Sequence, residues 1–419
     1  MGYFRFFSAH RALLTFGLLT ALSTSFGQTF FISLFLPHFS ESFGLDKAGF
    51  GAIFGLATLG SALCLPRFGA LIDRLDLRRY TIGTFAGLAI ACALAGLAPH
   101  AAVLCLALFG LRLFGQGLLG HVSQTVMARE FGGNRGKALG VAGLGYPMGE
   151  ALLPLIFALV LTWMPWRMAW VAVAAVIAGV LLPAVLRLLE NAPKPDPEPE
   201  LIAPVADEPV LSGESLWRDR RFYLVMPVFL AMPFVLTGLF LFQMPLAESK
   251  GWRPEWMAAA FTAFAVTRAF CSLGAGPLVD RLTALRLLPL FLIPLMVGIG
   301  VMAASRSPWA AFVYMALTGV SAGIASTVIS AVWAEMYGPS NVGTVRSVAV
   351  ALAVMSTALS PALMGWLFQA GFNFHDMLTA SIWIIAVSSL IALPVTPWYD
   401  EIRGFLASLS WPGRTGEAG

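Results

Sequence analysis

Apolar runs of about 20 residues, parted by short clusters of charge, proline or glycine, repeat along the whole 419-residue chain. A helix rises 1.5 Å per residue, so a run of that length crosses the ~30 Å hydrocarbon core of a bilayer. Cutting at the punctuation predicts twelve helical spans, over 12–38, 48–68, 80–98, 101–127, 138–162, 168–188, 222–246, 255–277, 286–304, 308–334, 346–369 and 377–395. The basic-aromatic lead from Met1 to Arg11 runs into the first of these without a small-residue cleavage site, so that span reads as a retained helix. Between the sixth and seventh spans the alternation Pro193-Lys194-Pro195-Asp196-Pro197-Glu198-Pro199-Glu200 can build neither helix nor core, and predicts an extended, solvated tether. The expected organisation is a first six-helix bundle over 1–189, a linker over 190–220, a second bundle over 221–396 and a tail over 397–419.

Composition sharpens this into an all-α integral membrane protein. The chain is 58% apolar and 11% charged, with a mean hydropathy of +0.81, whereas soluble domains carry roughly 25% charged residues. Its net charge of +4 is scattered, which excludes nucleic acid as a partner. The distribution of Lys and Arg matters more than the total. Eighteen fall on the N-terminus, the even-numbered loops and the tail, against five (Lys47, Arg167, Lys250, Arg253 and Arg306) on the opposite loops. That bias predicts both termini in the cytoplasm of a multi-pass protein; the expected location is a bacterial inner membrane. Cys64, Cys92, Cys105 and Cys271 all lie in apolar runs and read as small buried hydrophobes. No metal or cofactor is expected from such a set.

A shift of 207 residues lays Gly69, Leu71, Asp73, Arg74, Leu75 and Arg79 on Gly276, Leu278, Asp280, Arg281, Leu282 and Arg286, and carries Ser123 to Ser330, Gly136 to Gly343 and Pro154 to Pro361. Two parallel six-helix halves related by a pseudo-two-fold axis along the membrane normal follow from a single offset of this kind.

The segment from Gly69 to Arg79, with Asp73 and Arg74 at its centre, resembles the loop signature of the major facilitator superfamily, and Gly276 to Arg281 is a shorter copy after the eighth span. The resemblance implies a twelve-helix transporter. It assigns Asp73, Arg74, Asp280 and Arg281 to gating, through charge pairs at the cytoplasmic edge that break on inward opening; ordinary loop charge is the plainer reading, preferred for Arg78 and Arg79.

An ionisable group at the bilayer centre costs at least ~2.5–3.5 kcal/mol, so each faces a cavity or a partner. Three stand out: Arg112, Glu150 and Arg268. Arg112 opens Arg112-Leu113-Phe114-Gly115-Gln116-Gly117, which resembles the family's helix 4 motif. Gln116 and Ser123 lie within about 40° of it on a helical wheel, while His121 falls on the opposite face and reads as packed or interfacial. A structural bond to the first helix and a role in substrate or proton handling both fit Arg112. The G-x-G-x-x-G spelled by Gly115 to Gly120 lies mid-span with no preceding strand, so it serves helix packing and not a dinucleotide.

Glu150, in Gly145-Tyr146-Pro147-Met148-Gly149-Glu150, stands where the similar helix 5 motif of facilitator antiporters has a glycine. It reads either as a proton-coupling carboxyl or as an acid paired with a neighbouring Arg or Tyr. Arg268 faces Ser61 across the repeat. A structural ion pair would need an acid nearby and its own helix offers none mid-span, so Arg268 is expected to bind an anionic group through its fork. Gln28 on the first helix, Gln243 on the seventh and Tyr314 on the tenth, with Gln116, complete the candidate substrate contacts.

Ser25-Phe26-Gly27 followed by Phe30, together with a mid-helix arginine in the eighth span, resembles the monocarboxylate and oxalate–formate branch of the superfamily. That resemblance implies proton symport of a small organic anion, and the lack of lysine in the eleventh span favours a monoanion. Efflux of drug-like amphipathic compounds is the alternative. A transporter-shaped sensor or an intramembrane enzyme lacks its marks here: there is no His-Glu-x-x-His and the five histidines are dispersed. The expected partners are the lipid bilayer, a small-molecule substrate and protons, and the expected state is a monomer.

Overall fold

The computed structural model describes residues 10–131, 135–192, 213–338, 342–399 and 401. The proline-acid stretch and most of the tail lie outside them. The first span is in two pieces, Arg11–Gly27 and Thr29–Phe43, bent by 47° at Gln28 and together called α1. The others are α2 (Lys47–Asp73), α3 (Leu77–Leu97), α4 (Ala101–Glu130), α5 (Lys137–Trp163), α6 (Trp166–Glu190), α7 (Arg220–Leu241), α8 (Pro254–Leu282), α9 (Ile293–Ala304), α10 (Trp309–Tyr337), α11 (Val342–Gln369) and α12 (Phe374–Val395). A further stretch of about two turns, Gln243–Ser249, continues α7 beyond a kink at Phe242. Among the described residues ten helices are long and apolar enough to cross a membrane, eleven with the two pieces of α1 counted as one span.

Local chemistry sets several of these starts. Asp46, Asp76 and Asp219 cap α2, α3 and α7 by accepting backbone N–H groups, and Asn373 forms a capping box with Asp376 at the head of α12. The carboxyl of Asp219 is pushed up by burial, but hydrogen bonds from Arg221 outweigh this and hold it below the usual carboxylate range. The ninth span is shorter than expected, with 12 helical residues in place of 286–304. Residues 288–292 form successive turns instead, around Pro289, which has no N–H to give; the N–H of Leu295 is then met by Ser321 Oγ at 3.0 Å.

The twelve helices form two six-helix bundles, and the sequence offset is visible in their boundaries. Helices start at Lys47 and Pro254, at Ala101 and Trp309, and at Trp166 and Phe374, each pair within one residue of 207 apart. Between the bundles, α2 runs against α11 and α5 against α8. Small residues allow the first contact: a β-carbon on Gly51 would overlap the carbonyl of Pro361, and one on Gly365 would overlap that of Lys47. Apolar lipid gives helices little hydrophobic reason to associate, so close backbone packing of this kind carries the interface. Inside the first bundle, rings of Phe31, Phe35, Phe39, Phe157 and Trp170 pack edge to face, tilted or stacked at 4.7–6.5 Å.

Candidate functional site

The break in α1 is where the site begins. Gln28 takes an extended conformation, with φ −80° and ψ 150°, which interrupts the helical hydrogen bonds. A carbonyl freed in an apolar medium needs a donor, and Arg112 supplies it. Its Nη1 lies 3.4 Å from Gly27 O and 3.3 Å from Thr29 Oγ1, and its guanidinium sits 5.1 Å from the centre of the Phe54 ring. Over Leu111–Leu119 the turns of α4 widen into a π-helix beside this break. Gly27 and Gly115 pass so closely that a β-carbon on either would strike the other helix's backbone.

Below the break, between the bundles, is a cavity of about 200 Å³. Gln28, Thr29 and Phe30 of α1, Gln116 of α4 and Glu150 of α5 line it from one half. Met232, Leu236, Thr237 and Phe240 of α7, Phe264 and Arg268 of α8 and Ala322 of α10 line it from the other. Glu150 and Arg268 meet there in an ion pair between Oε1 and Nη1. The expectation that Arg268 has no acid nearby is therefore corrected: the acid comes from the opposite half, 118 residues away in sequence. Glu150 is the more buried partner, with a side chain 10% exposed against 33% for Arg268, and its Oε2 accepts no hydrogen bond among the described residues. Arg268 is held from behind, because Gly319 and Gly323 let α10 approach its backbone and Thr267 Oγ1 donates to Ala316 O at 2.9 Å.

Of the residues picked from the sequence, Arg268, Glu150, Gln28 and Gln116 are brought together in this cavity. Arg112 is turned away onto α1. Tyr314 is 2% exposed in the packing of α10 against α9, apart from the cavity-lining residues. Gln243 bridges the halves, donating to Ser33 Oγ at 2.6 Å and to Phe30 O at 3.5 Å. It belongs to a set of contacts between the halves on the face where the loops α1–α2 and α11–α12 lie. There the Lys47 ammonium sits 4.7 Å from the ring centres of both Phe368 and Phe374, and Phe30 meets Phe261 at 5.5 Å.

On the opposite face, two ties among the described residues lie within one half each. Asp73 pairs with Arg129 of α4, and Glu335 of α10 accepts the N–H groups of Ala284 and Leu285 at 2.7 and 3.0 Å. Arg74, Asp280 and Arg281 are exposed and make no ion pair among the described residues. Sequence reading missed Arg129 and Glu335, as well as Thr29 and Thr237 in the cavity. The one signal for the last two was a hydroxyl in an apolar run.

Two six-helix bundles enclose a charged chamber of about 200 Å³ between them, the architecture of a membrane carrier. The chain belongs to the Major Facilitator Superfamily, whose model matches residues 17–262 and 244–405. It is a multi-pass membrane transporter and not an enzyme. Its fold is similar to that of a bacterial homologue of the human lysosomal transporter Spinster, in the inward-facing, unoccupied conformation, with 16% identity, a TM-score of 0.67 and coverage of 96% of this chain and 98% of that one. The nucleoside transporter NupG is similar too, at 12% identity and a TM-score of 0.67 over 91% and 96% of the two chains. In sequence, the chain is 30% identical over 142 residues to a probable 4-methylmuconolactone transporter of Cupriavidus pinatubonensis, a match that takes in 33% of this chain and 32% of that relative.

Proposed function

We propose that the protein carries a small organic monoanion across a bacterial inner membrane together with a proton, by alternating access. The bodies 1–189 and 221–396 rock about the central cavity, joined by the linker 190–220, with both termini cytoplasmic and the chain working as a monomer. The observation that carries this reading is the Glu150–Arg268 pair, which bridges the halves inside the cavity. A cargo carboxylate and the Glu150 carboxylate compete for one guanidinium fork. Protonation neutralises Glu150 and leaves Arg268 free to take the anion, so cargo and proton arrive together and electrostatic cost is lowest when both are bound. Gln28 and Gln116 offer amide donors to the same carboxylate. Asp73, Arg74, Asp280 and Arg281 form the cytoplasmic gate, drawn together when that face closes. The partial likeness to a probable 4-methylmuconolactone transporter supports an organic cargo.

Proteoliposome uptake of radiolabelled small carboxylates under an imposed proton gradient tests this. Arg268→Ala is expected to lower uptake at subsaturating substrate by at least about tenfold, the loss of a charge-assisted bond of 1.5–3 kcal/mol. Glu150→Gln, which keeps an acceptor for Arg268, is expected to remove the acceleration seen as external pH falls. Unchanged pH-driven uptake in both variants would overturn the assignment.

A second reading, export of amphipathic compounds, draws on a different feature. A lipid-facing apolar recess of about 880 Å³ lies between α2, α7 and α11, lined by Leu56, Leu59, Phe234 and Met355 among others. Drug susceptibility that rises in a deletion strain, without a defect on any organic acid, would favour that reading over anion uptake.

A further inference from the structure

We infer that the cargo is a single-ring, planar carboxylate, held with its anionic end on Arg268 and its ring among Phe30, Phe240 and Phe264. The inference rests on the reading of Arg268 as the anion's partner and adds to it the chemistry of the other half of the cavity. That half is apolar, and beside Met232, Leu236 and Ala322 it presents three rings from three helices in both bundles. Phe264 precedes Arg268 by four residues on α8, so one helical turn, about 6 Å, separates the two levels on the same face. The Arg268 guanidinium carbon lies 5.8 Å from the centre of the Phe264 ring. Phe240 of α7 packs edge to face on Phe264 at 5.5 Å, and Phe30 of α1 closes the layer through Phe261 at 5.5 Å.

A carboxylate seated on the guanidinium therefore directs whatever it is attached to into a ring of aromatic edges and faces. Rings attract one another in offset or edge-to-face geometry beyond the area they bury, so a flat unsaturated ring gains there what a puckered aliphatic one does not. Size bounds the cargo from both ends. A two-carbon acid satisfies Arg268 but leaves the apolar half of the chamber unfilled, and about 200 Å³ falls below the usual range of pockets that take drug-sized ligands. Open-chain acids, single rings and amphipathic molecules are thus ranked by shape and not by charge alone.

The test uses the purified full-length protein in detergent, with thermal-shift titrations of benzoate, cyclohexanecarboxylate, acetate and the neutral analogue benzamide. Benzoate is expected to bind roughly threefold to tenfold more tightly than cyclohexanecarboxylate, and both more tightly than acetate. Phe264→Leu and Phe240→Leu are each expected to bring the benzoate-to-cyclohexanecarboxylate ratio toward one. Acetate or cyclohexanecarboxylate matching benzoate while benzamide fails to bind would overturn the ring and leave the anion standing. Benzamide matching benzoate, with no effect of Arg268→Gln on either, would remove the anion reading itself. Failure of the whole panel to shift the wild-type protein overturns the proposal without reference to any variant.

Discussion

Arg112 and Arg268 are both arginines in the middle of a membrane helix, and their surroundings give them different work. Arg112 is 4% exposed and spends its hydrogen bonds on Gly27 O and Thr29 Oγ1, the backbone and hydroxyl laid open by the break in α1. Arg112→Met is accordingly expected to cost about 1–3 kcal/mol of stability by orphaning a buried carbonyl, while the apparent KM of the protein that remains folded stays within about twofold of wild type; melting in detergent and uptake per folded molecule measure the two. Arg268 faces the cavity, and its loss should appear in substrate affinity instead. Sequence alone left both roles open for Arg112, because a helical wheel places Gln116 beside it without saying what lies across the gap. For Arg268 the sequence suggested a lone cation. The acid that meets it sits on α5, and nothing local to α8 could reveal a partner brought by tertiary packing.

At the scale of the element, the two departures from regular helix fit into one another. The extended residue in α1 and the widened turns of α4 meet where Gly27 crosses Gly115, and no side chain can stand between them. Gly27→Ala would drive a methyl into the carbonyl of Leu111 and the amide of Gln116. Relief requires backbone movement, with an expected cost of roughly 1–3 kcal/mol read as a lowered melting temperature, together with displaced Gln28 and Gln116 and weakened substrate binding. The hydrophobic pattern foretold the number and order of the helices because span length is a demand of the bilayer. It did not foretell the break, since Thr20, Thr24 and Gln28 keep a four-residue spacing that an unbroken helix would share. The short α9 has the same cause: Leu, Phe and Pro residues over 288–294 are as apolar in turns as in a helix, and only Pro289 and Pro294 hinted at the difference.

At the scale of the molecule, contacts between the bundles gather on the face of Lys47, Gln243 and Phe368, while Asp73 and Asp280 stand apart on the other. The Gln243 amide is the polar clasp of the closed face. Gln243→Ala removes its bonds to Ser33 and Phe30 and is expected to shift the population toward opening there, seen as a several-fold faster thiol labelling of a cysteine placed at Ser33 in the double variant. This family-level architecture was legible because the 207-residue offset survives in loop charges and prolines, positions that lipid and backbone geometry constrain directly. The ion pair has a further consequence. Its acid and its cation come from separate bundles, so neither half holds the pair alone and no pairing of two identical halves would recover it. If the chain were severed within 193–212 and the fragments produced together, activity should return only when one of each kind assembles, which makes the carrier an obligate heterodimer written as one polypeptide.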